Sequence, residues 1–255
     1  MVIVNFSGRF GNCVIQYWAA AAFAYRFSLP LNTPWPLRDW VTRSAPSIKW
    51  DEENRVVQKL SSHETIEIND GNFVEYMNKH PSEIRECNYH LRGYFQYMGT
   101  LEPYIGLLRE MFDWKEVEPI GEDSICMHHR GTDHGNGALI VDPSWFVGIL
   151  EQQSFKHLHI ITDDRFATSM FDSFKKWNPE IRCSANAMDD FNWLRQHKKV
   201  IIPNSTFSLI AALTGYSGRL GTIFQFARGQ CIPYIQQGLT FAHQVDGRFY
   251  KEVSH

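Results

Sequence analysis

The chain has 255 residues, of which 44% are hydrophobic and 21% charged, and its formal net charge is -3. This length suits one large α/β domain or two smaller ones, and the charge excludes the broad basic surface typical of nucleic-acid-binding proteins. Five widely spaced cysteines without a CxxC pair favour neither a disulfide framework nor a zinc site.

Neither a targeting segment nor a membrane span is predicted. The first apolar run, residues 2–6, stops at Ser7-Gly8 and lacks the basic start and the apolar length of a signal peptide. No apolar stretch approaches the roughly 18 residues of a transmembrane helix. These patterns predict a cytoplasmic protein.

Strand and helix signals alternate through the first half of the chain. In order, they predict a strand over residues 2–6, a helix over 12–27, strands over 64–68 and 89–95, and a helix over 97–112. Asn12 is the expected N-cap of the first helix, and Pro103 should interrupt or begin the helix over 97–112. The polar segment 115–123 is the expected linker, so that two domains are predicted, 1–118 and 119–255.

The alternation becomes regular in the second half. Strands are predicted over 124–130, 158–162, 181–184, 200–203 and 222–226, with helices over 143–153, 165–177, 189–197 and 207–213. This order predicts a parallel sheet covered by helices on both faces. Ligands bind beyond the carboxyl ends of the strands in such sheets, so the polar residues that end the strands are the candidate site residues.

The strand over 124–130 ends in His128, His129 and Arg130, and Asp133 follows. Since alternate residues of a strand share a face, His128 and Arg130 should point together and His129 away. This opposes a metal site built from His128, His129, Asp133 and His134, and no metal is predicted. The planar guanidinium of Arg130 suits a phosphate, but an ion pair with Asp133 explains this arginine equally well.

Asp163 and Asp164 directly follow the predicted strand over 158–162. One of them is expected to cap the next helix, which would leave the other for a ligand. A carboxylate can accept both donors on the Watson–Crick edge of guanine or both hydroxyls of a ribose, and the spacing does not distinguish these.

Two further turns follow strands. Asn204, Ser205, Thr206, Phe207 and Ser208 form a hydroxyl-rich turn before a helix, and helix N-termini bind anions. N-capping alone would account for one of these hydroxyls. A loop with Gly8, Gly11 and Asn12 follows the first strand, but it matches neither a Walker A loop nor GxGxxG and by itself indicates only a tight turn.

Taken together, five segments resemble the α-1,2-fucosyltransferases, glycosyltransferase family 11. Residues 8–19 resemble that family's GxxGNxxxQYxxA signature, and residues 91–96 its GYFQ segment. Residues 128–133 resemble its HxRRxD motif, residues 162–164 its SDD and residues 204–208 its NS(S/T)FS. The five segments occur in the same order as in the family.

The resemblance implies an α/β fold of the GT-B type, with two Rossmann-like lobes of parallel sheets flanked by helices. It implies an inverting transferase that moves fucose from GDP-fucose to a glycan hydroxyl, with no cofactor or metal; a lipid-linked acceptor would be met from the cytosol. The first lobe, with Gly8, Gly11 and Asn12, would border the acceptor. The second would bind the donor.

The resemblance also implies roles for the residues of the second lobe. His128 and one of Asp163 and Asp164 would bind the guanine, and Arg130 the β-phosphate. Ser205, Thr206 and Ser208 would help to hold the diphosphate, and Asn204 and Phe207 of the same turn would also belong to the donor site. Apart from the resemblance, the acceptor hydroxyl would need a base, and Asp133 is the candidate, although it could instead form an ion pair with Arg130.

Three departures from the family pattern leave alternatives open. Gly131 stands at the second arginine of HxRRxD, residues 209–211 replace the usual Trp-Trp-Gly, and Cys13 replaces a common Gln. The alternatives are a transferase for another nucleotide sugar such as rhamnose, a non-catalytic carbohydrate- or nucleotide-binding protein of the same fold, and a metal-dependent hydrolase. The acceptor, the linkage and the oligomeric state do not follow from the sequence.

Overall fold

The structure is a computed structural model that describes residues 1–32, 42–43, 64–131, 141–164, 171–203, 205–217, 222–225, 241–245 and 248–251. The chain divides into a first unit, Met1–Trp114, and a second unit, Lys115–His255. No helix within the described residues is long and apolar enough to cross a bilayer.

The first unit contains a parallel three-stranded sheet in the order β1-β4-β3 and a two-stranded antiparallel pair, β2-β5. Its strands are β1 (Val2–Val4), β2 (Thr42–Arg43), β3 (Thr65–Asn69), β4 (Asn88–Arg92) and β5 (Phe112–Asp113). Its helices are α1 (Phe10–Arg26), α2 (Phe73–Asn78), α3 (Met98–Leu101) and α4 (Ile105–Glu110), with 3-10 turns at Pro81–Glu83 and Glu102–Tyr104.

Helix α1 is the centre of the first unit's core. Almost all of its residues are buried, including the run Ala19–Ala22, as expected of a helix that is apolar all round. Trp18 donates its indole N–H to the carbonyl of Tyr104 at 2.9 Å, and the Tyr17 ring stacks against Phe6 with centroids 6.2 Å apart. The bond from Trp18 to Tyr104 joins two distant parts of the first unit's sequence.

Two predictions for the first unit meet different outcomes. The break near Pro103 is confirmed, because α3 and α4 are separated by the 3-10 turn that contains this proline. The prediction that Asn12 caps α1 is wrong. The N-cap is Arg9, three residues before Asn12, and the helix begins at Phe10, because the chain already turns at Gly8, whose φ is 85°.

The second unit contains a seven-stranded sheet in the order β12-β11-β10-β9-β6-β7-β8. The strands are β6 (Ser124–His129), β7 (His157–Thr162), β8 (Glu180–Arg182), β9 (Lys199–Ile202), β10 (Thr222–Gln225), β11 (Phe241–Val245) and β12 (Arg248–Lys251). The helices are α5 (Pro143–Leu150), α6 (Ala187–Arg195) and α7 (Thr206–Thr214), with a 3-10 helix at Asp172–Trp177. All neighbouring strands are parallel except β11 and β12.

The five strands predicted for this half, and the helices over 143–153, 189–197 and 207–213, are confirmed, with boundaries shifted by up to three residues. The antiparallel pair β11-β12 was not predicted, although Asp246-Gly247 between the two strands is a typical hairpin dipeptide. The predicted helix over 165–177 lies partly outside the described residues, and the described part is a 3-10 helix.

One face of the second sheet packs on α5 and the 3-10 helix. Ile125 and Met127 of β6 contribute alternate residues to a core with Phe146 and Phe174, all less than 1% exposed. This period of two fixes the orientation of β6, so that His129 continues this face and His128 points to the other. The orientation of the residues at the end of β6 therefore follows from the core.

Candidate functional site

Three of the sequence segments come together at one edge of the seven-stranded sheet. Strand β6 lies between β9 and β7 and is parallel to both, so the segments that follow these three strands are neighbours. The chain passes from β6 to β7 and β8 on one side and then returns to β9 on the other side. The gap between the ends of β6 and β9 is therefore a topological switch point, where α/β sheets bind ligands.

His128 and His129 occupy opposite faces of β6, as the alternation predicts. The His128 ring lies 6.0 Å from that of Phe207 on α7. The His129 ring instead packs against Phe171, and its Nδ1 lies 3.0 Å from the Thr162 hydroxyl. The two imidazoles cannot ligate one ion from these positions, and the other members of the suggested metal cluster, 133 and 134, lie outside the described residues.

His129 is an internal residue of the second unit. Its side chain is 3% exposed, and burial lowers the pKa of its imidazole, although the nearby carboxylates Asp163 and Asp164 act in the opposite direction. A neutral ring held by Thr162 is a structural support for the end of β6. Among the described residues, no group of three or more His, Cys, Asp and Glu side chains could hold a metal ion.

Gly131 follows Arg130 in a tightly packed turn. Its backbone N–H donates to Asp163 Oδ1 at 2.7 Å. A Cβ atom at position 131 would lie 2.8 Å from Asp164 Cβ and 2.8 Å from His129 Cε1. Because both neighbours are fixed at the sheet edge, a second arginine has no space here, and the glycine is required by the packing.

Asp163 and Asp164 thus have local roles at this edge. Asp163 fixes the turn after β6, and the Asp164 backbone N–H donates to the Thr162 hydroxyl at 3.0 Å. The expected helix cap by one of them concerns residues 165–170, which lie outside the described residues. Guanine binding by either carboxylate remains a prediction.

The turn before α7 has an unusual N-cap. Ser205 occupies the N-cap position, but its side chain makes no capping hydrogen bond. Its hydroxyl is buried, the residue being 3% exposed, and it has no hydrogen-bond partner among the described residues. Ser208 is also buried and donates to the Ser205 carbonyl at 3.2 Å. Plain N-capping does not account for Ser205.

Two acidic residues of interest were not predicted from the sequence. Asp190 on α6 is 8% exposed and accepts hydrogen bonds from the Ser184 N–H at 3.1 Å and from Arg182 Nε at 3.3 Å. Burial raises the pKa of its carboxyl. In the sequence, Asp189-Asp190 has the pattern of ordinary acids in a first helical turn, so no local signal distinguishes it. The second unpredicted acidic residue is Asp70 in the first unit, which accepts hydrogen bonds from the backbone N–H groups of Tyr94 and Phe95.

The first unit has its own cluster of loops at the carboxyl edge of its sheet. The Gln16 side chain on α1 accepts from the Ser7 N–H at 2.9 Å and donates to the Ser7 hydroxyl at 3.0 Å. The Asn12 amide packs over Gly8, where a Cβ would collide with it. Asn12 Oδ1 also accepts from Gln96 Nε2 at 3.3 Å. Residues 8–19 and 91–96, far apart in sequence, therefore meet.

Gly11 lies inside the first turn of α1, and Thr206 and Phe207 begin α7. Asp133 and Asn204 lie outside the described residues. The structure therefore brings His128, Arg130, Asp163, Asp164 and the 205–208 turn to one edge of the second unit, and Gly8, Gly11 and Asn12 to one edge of the first.

No family model matches the chain, and no curated protein matches its sequence. Among solved structures, the chain is similar to NodZ α-1,6-fucosyltransferase soaked with GDP-fucose, at 14% identity and a TM-score of 0.53, over 84% of this chain and 92% of that one. Another structure of fucosyltransferase NodZ, from Bradyrhizobium, matches at 15% identity and a TM-score of 0.51, with the same coverage.

This likeness concerns the fold. The predicted α/β architecture, with parallel sheets flanked by helices, is confirmed, and the solved structures that it resembles are fucosyltransferases. Membership of glycosyltransferase family 11 remains a prediction from the five sequence segments.

Proposed function

We propose that the chain is an inverting glycosyltransferase that moves fucose from GDP-fucose to a glycan hydroxyl and forms an α-1,2 linkage. The fold likeness supports the donor class, and the linkage rests on the resemblance of the five sequence segments to family 11. In this proposal the first unit contacts the acceptor and the second binds the donor.

The observation that carries the proposal is the pair of groups at the switch point between β6 and β9. Arg130 follows β6, and the N-terminus of α7 follows β9 with the buried Ser205 hydroxyl at its start. An arginine, helix-end N–H groups and a hydroxyl donor are the groups that proteins use to bind a diphosphate. Their position after two neighbouring parallel strands, at a ligand-binding position of the fold, favours a nucleotide-diphosphate donor.

The proposed chemistry is a single displacement at the anomeric carbon of the fucose. The acceptor oxygen forms a bond to this carbon from the opposite face, while the bond to the β-phosphate oxygen breaks and GDP leaves. Negative charge therefore grows on the β-phosphate. Arg130 and the α7 N-terminus would stabilise that charge more in the transition state than in the ground state.

The acceptor hydroxyl loses its proton during this displacement and needs a base. We assign this role to Asp133. In the competing assignment Asp133 forms an ion pair with Arg130. Asp133→Asn separates the two, since loss of the base lowers kcat while GDP binding persists, and loss of an ion-pair partner weakens GDP binding as well.

The alternative of a non-catalytic binding protein drew support from Gly131, which replaces a family arginine. The packing of Gly131 against Asp164 and His129 gives this glycine a structural reason, although the positive charge of the family's second arginine is still missing; turnover in the assay below separates the two alternatives. A different nucleotide sugar remains the second candidate, because no described contact is specific to fucose.

The test is incubation of the purified chain with GDP-fucose and with UDP- and GDP-linked hexoses. A panel of methyl glycosides serves as acceptors, and products are identified by mass spectrometry. The proposal predicts one added deoxyhexose from GDP-fucose alone, with EDTA having no effect. Transfer only from another donor would replace fucose, and the absence of transfer or donor hydrolysis would contradict the proposal.

A further inference from the structure

The turn formed by residues 93–97, which follows β4, adopts a strained backbone. Phe95 has φ of 51°, in the left-handed region that side-chain-bearing residues seldom occupy. Its ring is fully buried against Phe73, with centroids 4.9 Å apart. Such conformations persist only where surrounding contacts impose them, and they occur often at functional sites.

A single residue supplies the contacts that impose this turn. Asp70, directly after β3, accepts hydrogen bonds from the N–H groups of Tyr94 at 3.0 Å and Phe95 at 2.7 Å. The Tyr97 hydroxyl donates to the Asp70 carbonyl at 2.5 Å. A Cβ at Gly93 would lie 2.8 Å from the Asp70 carboxylate, so the close approach of the turn requires glycine there.

The turn places two side chains in an ordered arrangement at the carboxyl edge of the sheet. These side chains are Tyr94 and Gln96, on either side of the buried Phe95. Tyr94 is 47% exposed and is one of three exposed large hydrophobic residues among the described residues. Gln96 contacts Asn12, which lies in the first turn of α1. The turn thus carries an exposed aromatic ring, on a backbone held by Asp70, two residues before a half-buried amide that is linked to α1.

We propose that Tyr94 is a binding surface for a sugar ring of the acceptor, with Gln96 and Asn12 beside it and Asp70 as the residue that positions it. That the bound sugar is the acceptor rests on the proposed function. The inference adds to that function a set of binding residues in the first unit and the chemical class of their ligand. An exposed tyrosine offers a flat apolar face for the C–H groups of a pyranose, and amides can donate to and accept from its hydroxyls.

Isolated exposed aromatic residues are common and need no explanation. Tyr94 differs in two ways. The carboxylate of Asp70, directly after the neighbouring strand β3, binds its backbone N–H, and the next residue, Phe95, has a strained backbone. A surface ring without a role would not need this support. Tyr25 is 54% exposed near the end of α1, where its carbonyl accepts from the Ser28 N–H as part of the helix end. Its backbone is thus held by ordinary helical hydrogen bonds and not by a carboxylate beside a strained residue, and it is the matched control.

The experiment measures sugar binding and transfer separately in the full chain. Wild type and the variants Tyr94→Ala, Tyr94→Phe and Tyr25→Ala are titrated with the methyl β-glycosides of galactose, glucose, mannose and N-acetylglucosamine in the presence of GDP. Binding is detected by saturation-transfer NMR. The same proteins are assayed for transfer from GDP-fucose to these sugars and for the thermal shift caused by GDP.

We expect Tyr94→Ala to weaken binding of the sugar that wild type binds by about fivefold or more, since ring contacts add about 1 kcal/mol. KM for that acceptor should rise by a similar factor with kcat little changed. Tyr94→Phe, Tyr25→Ala and the GDP thermal shift should match wild type. Wild-type sugar affinity in Tyr94→Ala, or a wild type that binds none of the sugars, would overturn the inference.

Asp70→Asn tests the positioning role. It removes one of the two acceptors for the backbone N–H groups, so KM for the acceptor should rise while kcat and the GDP thermal shift hold. A purely structural role would instead lower the unfolding temperature and leave KM unaltered. Should sugar binding depend on Tyr94 without any transfer of fucose, the inference would stand and the proposed function would fail.

Discussion

Replacement of Gly131 with alanine should destabilise the second unit. The added methyl group would lie 2.8 Å from both Asp164 Cβ and His129 Cε1, and contacts between carbon atoms prefer at least 3.5 Å. His129 is buried and held by Thr162, so it cannot move aside without loss of that hydrogen bond. Overpacking of this kind costs about 1–3 kcal/mol.

The turn could relieve the collision by moving away from Asp163. That movement would weaken the hydrogen bond from the Gly131 N–H to a charged carboxylate, worth about 1.5–3 kcal/mol. Either route predicts a loss of about 2 kcal/mol in the free energy of unfolding. For a chain of this size that corresponds to a fall of roughly 4–8 °C in Tm.

Calorimetry and urea unfolding measure this change, with Gly121→Ala as the control. A Cβ at Gly121, in the same unit, meets no atom within 4 Å, and its replacement should change stability by less than about 0.5 kcal/mol. Asp164→Gly in the Gly131→Ala background removes one of the two collisions and should recover part of the loss. Equal stability of Gly131→Ala and Gly121→Ala would refute the packing argument.

Three further predictions concern the site and its support. Arg130→Ala should lower kcat by about two to three decades, the scale of losing one oxyanion donor, and Arg130→Lys should restore little because it lacks the planar fork; near-wild-type kcat in Arg130→Ala would end this assignment. Ser205→Ala should change the free energy of unfolding by less than about 0.5 kcal/mol, because the Ser205 hydroxyl has no partner among the described residues, but it should weaken GDP binding about fivefold. The control Ser217→Ala loses the hydrogen bond to the Ala212 carbonyl at 3.0 Å. It should lower the free energy of unfolding by about 1 kcal/mol and leave GDP affinity unchanged. Burial, and then the neighbouring His159, lower the pKa of His197 from 6.5 to about 4 in the folded chain. As pH drops, the unfolded chain therefore takes up this proton first, and the free energy of unfolding should fall by about 3 kcal/mol between pH 6.5 and 4. In His197→Phe the free energy of unfolding, measured with urea, should depend less on pH over that range, and an unchanged slope would contradict the assignment.

The arrangement of the second unit was predictable because its signals are local. A period of two along β6 fixes which of His128 and His129 faces the core, and the alternation of strands and helices implies a parallel sheet. Polar residues at strand ends then have to meet at one edge. The order of the strands, which places β9 beside β6 and creates the switch point, is not contained in any local pattern.

The misplaced and missed features depend on contacts between distant residues. Asp163 is bound by the Gly131 N–H, 32 residues away in sequence, a contact that the sequence did not indicate; its suggested roles in a helix cap or a ligand contact remain predictions. Asp70 supports a turn 24 residues later and has no motif of its own. The start of α1 moved from Asn12 to Phe10 because Asn12 packs back over Gly8, a contact that needs the left-handed glycine to exist first.

The donor site of the second unit is the central claim, and a thermal-shift panel tests it most directly. GDP, UDP, CMP and NAD are compared with and without EDTA, each at about one hundred times the dissociation constant expected of a donor. A ligand at that ratio stabilises by about 2.7 kcal/mol, which for this chain is roughly 5–10 °C. The account predicts this shift with GDP alone and the same shift in EDTA. Stabilisation by UDP in place of GDP, or by none of the four, would contradict it.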